Sequence, residues 1–269
     1  MRLLTSTDVA ALLGVSSGTV KRWSDSGRLE CVRTAGRHRR FALEAVEHFR
    51  RGRAGSEGAT FVDRLLGDED LLTLQATLLE QRAHLGAWWR VAAWLAPEIE
   101  ELGQRWQDGR IGVVEEHLAS ERLARVLGRL VETLPARPSA PWVLLAAAEG
   151  EEHLLGLGLA ELCLKEEGWN TRWAGRRTPT AGLVRAVEDG AVDAVALSAS
   201  VVASRGPLHA QCATLSEVCA RHGVHLVMGG RGEWPEPPPH GTVVREFENL
   251  RPWMSTVEAA VRAPAETSH

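Results

Sequence analysis

Residues 148–164, AEGEEHLLGLGLAELCL, directly follow an apolar run over residues 141–148, PWVLLAAA. The apolar run is typical of a buried parallel strand, and the leucines that recur after residue 154 at helical spacing predict a helix. Between the two lies the pattern Glu151-x-His153-x-x-Gly156. Open α/β sheets bind ligands at the carboxyl ends of their strands, so this turn is a candidate ligand site.

Within this turn, His153 is the side chain suited to binding a metal. An imidazole binds a metal through one nitrogen while the other donates to a carboxylate, which Glu151 is placed to supply. Gly156 would allow a large ligand, or neighbouring backbone, to approach closely. A lone histidine in a turn is more often a surface or capping residue, so this motif by itself leaves both interpretations open.

Two further elements follow at the ends of predicted strands. Ser198 comes directly after the apolar run 192–197, and Gly229-Gly230 follows the predicted strand 224–228. With the first motif, they resemble the fingerprint of the cobalamin-binding domain: acidic residue-x-His-x-x-Gly, then Ser-x-Leu, then Gly-Gly.

This resemblance implies that His153 is the lower axial ligand of a cobalamin cobalt. It also implies that Ser198 and the two glycines line a slot for the nucleotide tail of the cofactor. The sequence departs from the fingerprint at one position, because Ser200 stands where the family has leucine.

From residue 142 onward, predicted strands and helices alternate. Such alternation predicts a flavodoxin-like α/β domain with a five-stranded parallel sheet, over residues 140–263. The strands and helices are expected, in order, at residues 142–148, 153–167, 169–174, 179–189, 192–198, 205–222, 224–228, 241–244 and 248–262.

The bulk composition indicates an ordinary globular protein of two or three domains. Hydrophobic residues make up 44% and charged residues 25% of 269 residues. No apolar run approaches the roughly 20 residues that span a bilayer, and polar residues interrupt the N-terminus too early for a signal peptide. The four cysteines form no CxxC pair. We therefore expect reduced thiols, a cytoplasmic location and no membrane partner.

Charge is divided unevenly along the chain. Residues 1–55 hold 11 Lys and Arg against 5 Asp and Glu, whereas the remainder holds 20 against 30. Only the N-terminal part is therefore expected to bind a polyanion.

The same N-terminal part carries a DNA-binding pattern. Two short helices are predicted at residues 4–13 and 16–26, the first with Val9, Ala10, Leu12 and Leu13 as its apolar face, and residues 36–41, GRHRRF, predict a β-hairpin wing. The stretch resembles the winged helix-turn-helix of MerR and excisionase-like proteins, which bind double-stranded DNA as dimers or higher oligomers. The predicted DNA-contacting residues are Thr19, Lys21 and Arg22 on the second helix and Arg37, His38, Arg39 and Arg40 on the wing.

Residues 60–135 predict a four-helix bundle, separated from its neighbours by linkers at residues 51–59 and 135–141. Four helices fit, over residues 60–66 with 69–82, 84–94, 97–108 and 111–133. Inside the bundle lies Trp106-x9-Glu116-His117. By spacing alone, this pattern fits a core tryptophan and a surface pair as well as it fits a site.

The chain has a DNA-binding domain, a helical bundle and a sheet domain, in that order. In this order it resembles the CarH/LitR family of light-sensing, cobalamin-dependent repressors. The resemblance implies adenosylcobalamin as cofactor, with Trp106, Gln107, Glu116 and His117 at its upper face. It also implies a homo-oligomer, a dimer or tetramer, that represses transcription. In that family a histidine next to the tryptophan takes the upper cobalt site after illumination, and here that position is Gln107, a poor cobalt ligand.

Three outcomes stay open at Gln107: photolysis still loosens the bundle, His84 or His117 substitutes, or the protein senses cofactor rather than light.

Three functions are compatible with these features. The leading one is a non-enzymatic, cobalamin-dependent transcriptional regulator. The second is a corrinoid-dependent methyl carrier or mutase subunit, but the DNA-binding domain argues against it, because such a protein does not need to bind DNA. The third is a cofactor-free regulator that uses the same fold for protein contacts.

Overall fold

The computed structural model describes residues 3–13, 17–25, 29–34, 36, 38–47, 49 and 60–262. The chain divides into two compact units, Met1–Thr60 and Phe61–His269. The predicted wing residue Arg37 and the predicted linker at 51–59 lie outside the described residues.

The first unit is a small helix-turn-helix domain with a three-stranded antiparallel sheet. The sheet order is β1-β3-β2, so the predicted hairpin of β2 and β3 gains an N-terminal strand that the sequence did not indicate. The elements are β1 (Leu3–Leu4), α1 (Ser6–Leu13), α2 (Ser17–Asp25), β2 (Val32–Arg33), β3 (Arg39–Ala42) and a helical segment α3 over residues 43–47.

A capping box and a compact apolar core hold this unit together. The hydroxyl of Thr5 accepts from the backbone N–H of Asp8, whose carboxylate accepts from the backbone N–H of Thr5. Val9, Val20 and Phe41 are fully buried between the helices and β3. Leu12, predicted on the apolar face of α1, is 41% exposed, so that prediction is wrong. The reason is that a helix of eight residues buries only a narrow stripe of side chains against so small a core.

The second unit begins with four helices. They are α4 (Phe61–Leu66), α5 (Leu71–Leu85), α6 (Trp88–Gln107) and α7 (Val113–Glu132). Asp70 caps α5 by accepting from the backbone N–H of Thr73, and Gly86 ends it in the left-handed conformation. The predicted break between residues 94 and 97 is wrong, because α6 continues through Pro97. Buried Leu95 and Leu102 on either side anchor the helix, and such packing offsets the backbone hydrogen bond that a proline removes.

A five-stranded sheet follows, in which every pair of neighbouring strands is parallel. The strand order β5-β4-β6-β7-β8 is flavodoxin-like, as the alternating pattern predicts. Its elements are β4 (Trp142–Ala147), α8 (Leu155–Glu166), β5 (Asn170–Gly175), α9 (Thr180–Glu188), β6 (Ala194–Ser198), α10 (Arg205–His222), β7 (His225–Gly229), β8 (Thr242–Val244) and α11 (Leu250–Arg262), the last preceded by a 3₁₀ turn, Phe247–Asn249.

The four helices and the sheet share one hydrophobic core. Helices α6 and α7 pack against α8, and a Cβ on Gly158 would lie 3.3 Å from Leu127 Cδ1, so a glycine here lets the two helices approach. Glu166 at the end of α8 accepts from the backbone N–H of Trp88 and pairs with Arg82. This packing holds the helical region against α8. The boundary between domains near residue 140 stays a prediction.

Among the described residues, no helix has the length and apolarity needed to cross a membrane.

Candidate cofactor site and DNA-binding surface

Glu151 is a buried carboxylate in the turn after β4, at the carboxyl edge of the sheet, and only 2% of it is exposed. Its Oε1 accepts from the backbone N–H of His153 at 2.8 Å and lies 2.6 Å from Nδ1 of the same histidine. The turn therefore brings the predicted acid and the predicted metal ligand into direct contact.

Ser200 holds the other oxygen of the same carboxylate. Its backbone N–H and its hydroxyl both donate to Glu151 Oε2 at 2.7 Å, and its Oγ lies 3.3 Å from His153 Nδ1. At the sequence level Ser200 marked a departure from the family pattern. Only the fold shows its part, because the serine comes from the turn after β6, 49 residues away from Glu151.

These contacts fix the charge of the site. Burial raises the pKa of Glu151, but the hydrogen bonds from His153 and Ser200 outweigh it and lower the pKa to about 2. The hydrogen bond to Glu151 raises the pKa of His153 against the opposing effect of burial, and the charges of Glu116 and Glu152 add to the increase. Glu151 is therefore a permanent anion that orients the imidazole.

With Nδ1 directed at Glu151, the imidazole presents Nε2 as its available nitrogen, and the His153 side chain is 63% exposed. Both oxygens of Glu151 are occupied, so the carboxylate serves to orient the ring rather than to bind a metal itself. A single oriented imidazole suits a metal whose other ligands come with it, as cobalt in a corrin ring does. The donor set thus fits cobalamin.

The other predicted residues of the sheet domain lie at the same edge. Ser198 and Gly229 are register partners at the ends of β6 and β7. Gly230 has a positive φ of 81°, and a Cβ there would lie 2.2 Å from the carbonyl oxygen of Ala199, so no side chain fits. A Cβ on Gly156 would meet open space, which favours approach by a ligand over approach by backbone.

In the bundle, the predicted upper-face residues lie around the turn between α6 and α7. Trp106 is 46% exposed near the end of α6, with exposed Gln107 beside it. Glu116, in α7, accepts from the Ser120 hydroxyl at 2.6 Å, and His117 is 74% exposed. Arg231, directly after Gly230, donates to Glu100 of α6 at 2.9 Å, so the second half of α6 lies beside this edge of the sheet.

Exposed apolar side chains lie next to residues of both halves of the site in the sequence. Val201 and Val202 follow Ser200 directly and are more than 60% exposed, and Val113 and Val114 begin α7 next to Glu116 with exposed fractions of 48% and 65%. Sequence reasoning missed these four valines, whose exposure only the tertiary structure reveals. Clustered exposed apolar side chains are typical of a surface that binds a ligand or partner.

The Glu151–His153 contact gives a direct test. We expect Glu151→Gln to weaken cobalamin binding by about 10- to 100-fold, because partners that orient a metal-binding histidine contribute this much. Ser200→Ala, which removes one of the bonds to the carboxylate, should give a smaller loss. Titration of each variant with cobalamin, followed by absorbance, measures the affinity. Affinity unchanged in both variants would contradict the orienting role of the carboxylate.

On the first unit, the predicted DNA-contacting residues of α2 are exposed. Lys21 and Arg22 face solvent, and Arg22 donates to the hydroxyl of half-buried Thr19 at 3.4 Å. His38 is exposed on the wing. These side chains present positive charge where a helix-turn-helix places its second helix in the major groove.

Two arginines of the wing are partly buried instead. Arg39 pairs with Asp25 at the end of α2, and only 19% of its side chain is exposed. Arg40 is half-buried and donates to the carbonyl oxygen of Arg39. The Arg39–Asp25 pair joins the wing to α2, so this geometry favours a positioning role for Arg39. Arg33, which the sequence did not single out, pairs with the same aspartate and is half-exposed.

Comparison with known proteins places two families on this chain. Residues 3–54 match the helix-turn-helix domain, and residues 91–131, within α6 and α7, match the B12 binding domain. The chain thus resembles a helix-turn-helix domain in its first unit and a B12 binding domain in the helical region of its second unit.

One curated relative supports the same combination. The chain is 40% identical over 113 residues to the HTH-type transcriptional repressor CarH of Myxococcus xanthus, a match that covers 41% of this chain and 36% of the relative. The chain therefore matches about a third of that relative's length. The two domain matches and this identity confirm the resemblance to CarH-like regulators.

A solved structure confirms the fold. The monomethylamine corrinoid protein of Methanosarcina barkeri superposes with a TM-score of 0.56 at 16% identity, over 74% of this chain and 96% of that one.

Proposed function

We propose that this protein is a transcriptional regulator, acting in the cytoplasm as a repressor, whose DNA binding is controlled by bound cobalamin. One observation carries the proposal: the Ser200–Glu151–His153 chain orients a metal-binding nitrogen in a protein that also has a helix-turn-helix unit. We propose no catalytic residue, since the groups of the site orient one another and none is arranged as nucleophile and base.

In this proposal His153 Nε2 would bind the cobalt ion, and Glu151 would keep the ring in the orientation that presents this nitrogen. Ser198, Gly229 and Gly230 would line the slot for the nucleotide tail, and the close carbonyl oxygen of Ala199 requires glycine at position 230. Trp106 and the valines at the start of α7 would exclude water from the bound cofactor. When bound, the cofactor supplies a cobalt–carbon bond that light or chemical change can break.

The proposed control of DNA binding depends on a link between cofactor binding and the association of several copies of this chain. A ligand that contacts both the bundle and the sheet edge favours the arrangement in which the two are closed around it. If that arrangement also favours a homo-oligomer, several DNA-binding heads are coupled. Coupling raises the affinity for repeated half-sites through effective concentration, without any new contact to DNA.

We propose adenosylcobalamin as the cofactor, and Gln107 as the residue that decides how the protein responds when light breaks the cobalt–carbon bond. The amide of Gln107 is a poor ligand for cobalt, so it does not replace a lost upper ligand as a histidine would. The same exposed position makes Gln107→His a substitution that tests this difference without disturbing the core.

The proposal is tested by size-exclusion chromatography with absorbance detection, combined with retention of promoter fragments. We expect the chain to take up adenosylcobalamin, elute as a larger species and retain specific DNA in darkness. Green illumination should change the assembly of Gln107→His more than that of the wild type. A chain that stays colourless, or that retains DNA equally with and without cofactor, would contradict the proposal.

A further inference from the structure

Helix α5 presents a second apolar face that nothing in the described part of the second unit covers. Leu72 is 70% and Leu79 44% exposed, and Ala76 and Ala83 between and beyond them are also exposed. We call these four residues the α5 stripe. Their spacing of i, i+4, i+7 and i+11 places them in one line along the helix.

The α5 stripe lies opposite the face by which α5 packs on its own bundle. Leu74, Thr77 and Leu78 are buried against α6 and α7, about 180° around the helix from the stripe. A helix that is apolar on both faces is expected to be covered on both. Its outer face is thus a surface for a partner.

We infer that the partner is a second copy of this chain, whose α5 packs antiparallel along the first. In the register that places residue 76 opposite residue 79 of the other copy, Leu72 also lies opposite Ala83. Every leucine of the α5 stripe then meets an alanine. Large side chains facing small ones allow two helices to interdigitate closely, and the pattern matches itself under a two-fold axis.

Charge favours the same antiparallel orientation. Exposed Asp68 and Asp70 lie at the start of α5, whereas His84 and Arg90 lie exposed at and beyond its end. An antiparallel pair brings the acidic end of each helix to the basic end of the other, and it also aligns the two helix dipoles favourably. A parallel pair would place like charges together.

The contact is weak by itself. Helix α5 has 15 residues and is about 22 Å long, so one helix pair buries less than the roughly 1,200 Å² of a stable specific interface. Its effect on DNA binding rests on the proposed function, because the heads of two chains on neighbouring half-sites would raise the effective concentration of this pair. The association itself is measurable without DNA or cofactor.

Sedimentation of the full chain, without cofactor and in darkness, tests the inference from about 1 μM to about 500 μM. We expect a monomer–dimer equilibrium, and Leu79→Glu should weaken it at least about tenfold. Ala76→Leu should weaken it as well, since leucine would then face leucine. The double variant Ala76→Leu/Leu79→Ala exchanges large and small side chains and should restore association to within about threefold of the wild type.

Cross-linking tests the orientation. A chain with Leu72→Cys mixed with a chain with Ala83→Cys should form a mixed disulfide, whereas Leu72→Cys alone should not, because the two copies of residue 72 are about 16 Å apart along an antiparallel pair. Three outcomes would overturn the inference: a monomer at all concentrations, no rescue by the exchange, or cross-links from α5 to residues 1–60. Uptake of cobalamin and retention of DNA can persist in each case, so failure here is distinct from failure of the proposed function.

Discussion

Replacing His153 with alanine is expected to reduce cobalamin affinity by at least about 100-fold, or about 2.7 kcal/mol. The variant removes the ring that Glu151 orients, and it leaves the buried carboxylate with the backbone N–H of residue 153 and with Ser200 as partners. The visible absorption spectrum of any cofactor still bound should also change, since the lower axial ligand would differ. Absorbance titration measures both effects.

A matched histidine controls for indirect effects. His222 is exposed at the end of α10, so His222→Ala should change affinity by no more than about twofold. Circular dichroism checks that both variants are folded. If His153→Ala bound cobalamin with the wild-type affinity and spectrum, the axial role would be wrong and the site would need another ligand.

Lys21→Ala combined with Arg22→Ala is expected to abolish specific DNA retention at physiological salt. Both side chains are exposed on α2 and contribute positive charge at the predicted major-groove helix. If both neutralise phosphates, the plot of log affinity against log salt concentration should become shallower by about 2. Fluorescence anisotropy of a labelled promoter fragment at several salt concentrations gives the slope.

Two further variants, Arg221→Ala and Arg39→Ala, are the controls for this experiment. Arg221 is exposed on α10 in the second unit, and Arg221→Ala should leave the salt slope unchanged. Arg39→Ala should lower the melting temperature of the first unit without altering the slope, because Arg39 pairs with Asp25. A slope that fell by about 1 in Arg39→Ala would instead place this arginine on a phosphate, as the sequence pattern predicts. An unchanged slope in the double variant would exclude α2 as the phosphate-binding element.

The periodicity of the second half was sufficient to predict its fold. Each predicted strand and helix from residue 142 onward overlaps an observed element, and the sheet order is flavodoxin-like. Buried parallel strands are nearly continuous apolar runs, which differ sharply from the flanking helices. Pro97 misled the prediction in the bundle, because local propensity marks a break that packing around Leu95 and Leu102 overrides.

The amino-acid sequence by itself determined the order of the elements, the acid, histidine and glycines at the sheet edge, and the basic second helix of the head. Those features are local, since each depends on residues within one turn or one strand. Tertiary structure alone decided that Ser200 completes the contact to Glu151, that Arg39 turns inward to Asp25, and that one face of α5 is left exposed. Each of these depends on side chains that are distant along the chain, and their proximity follows from packing rather than from any local pattern.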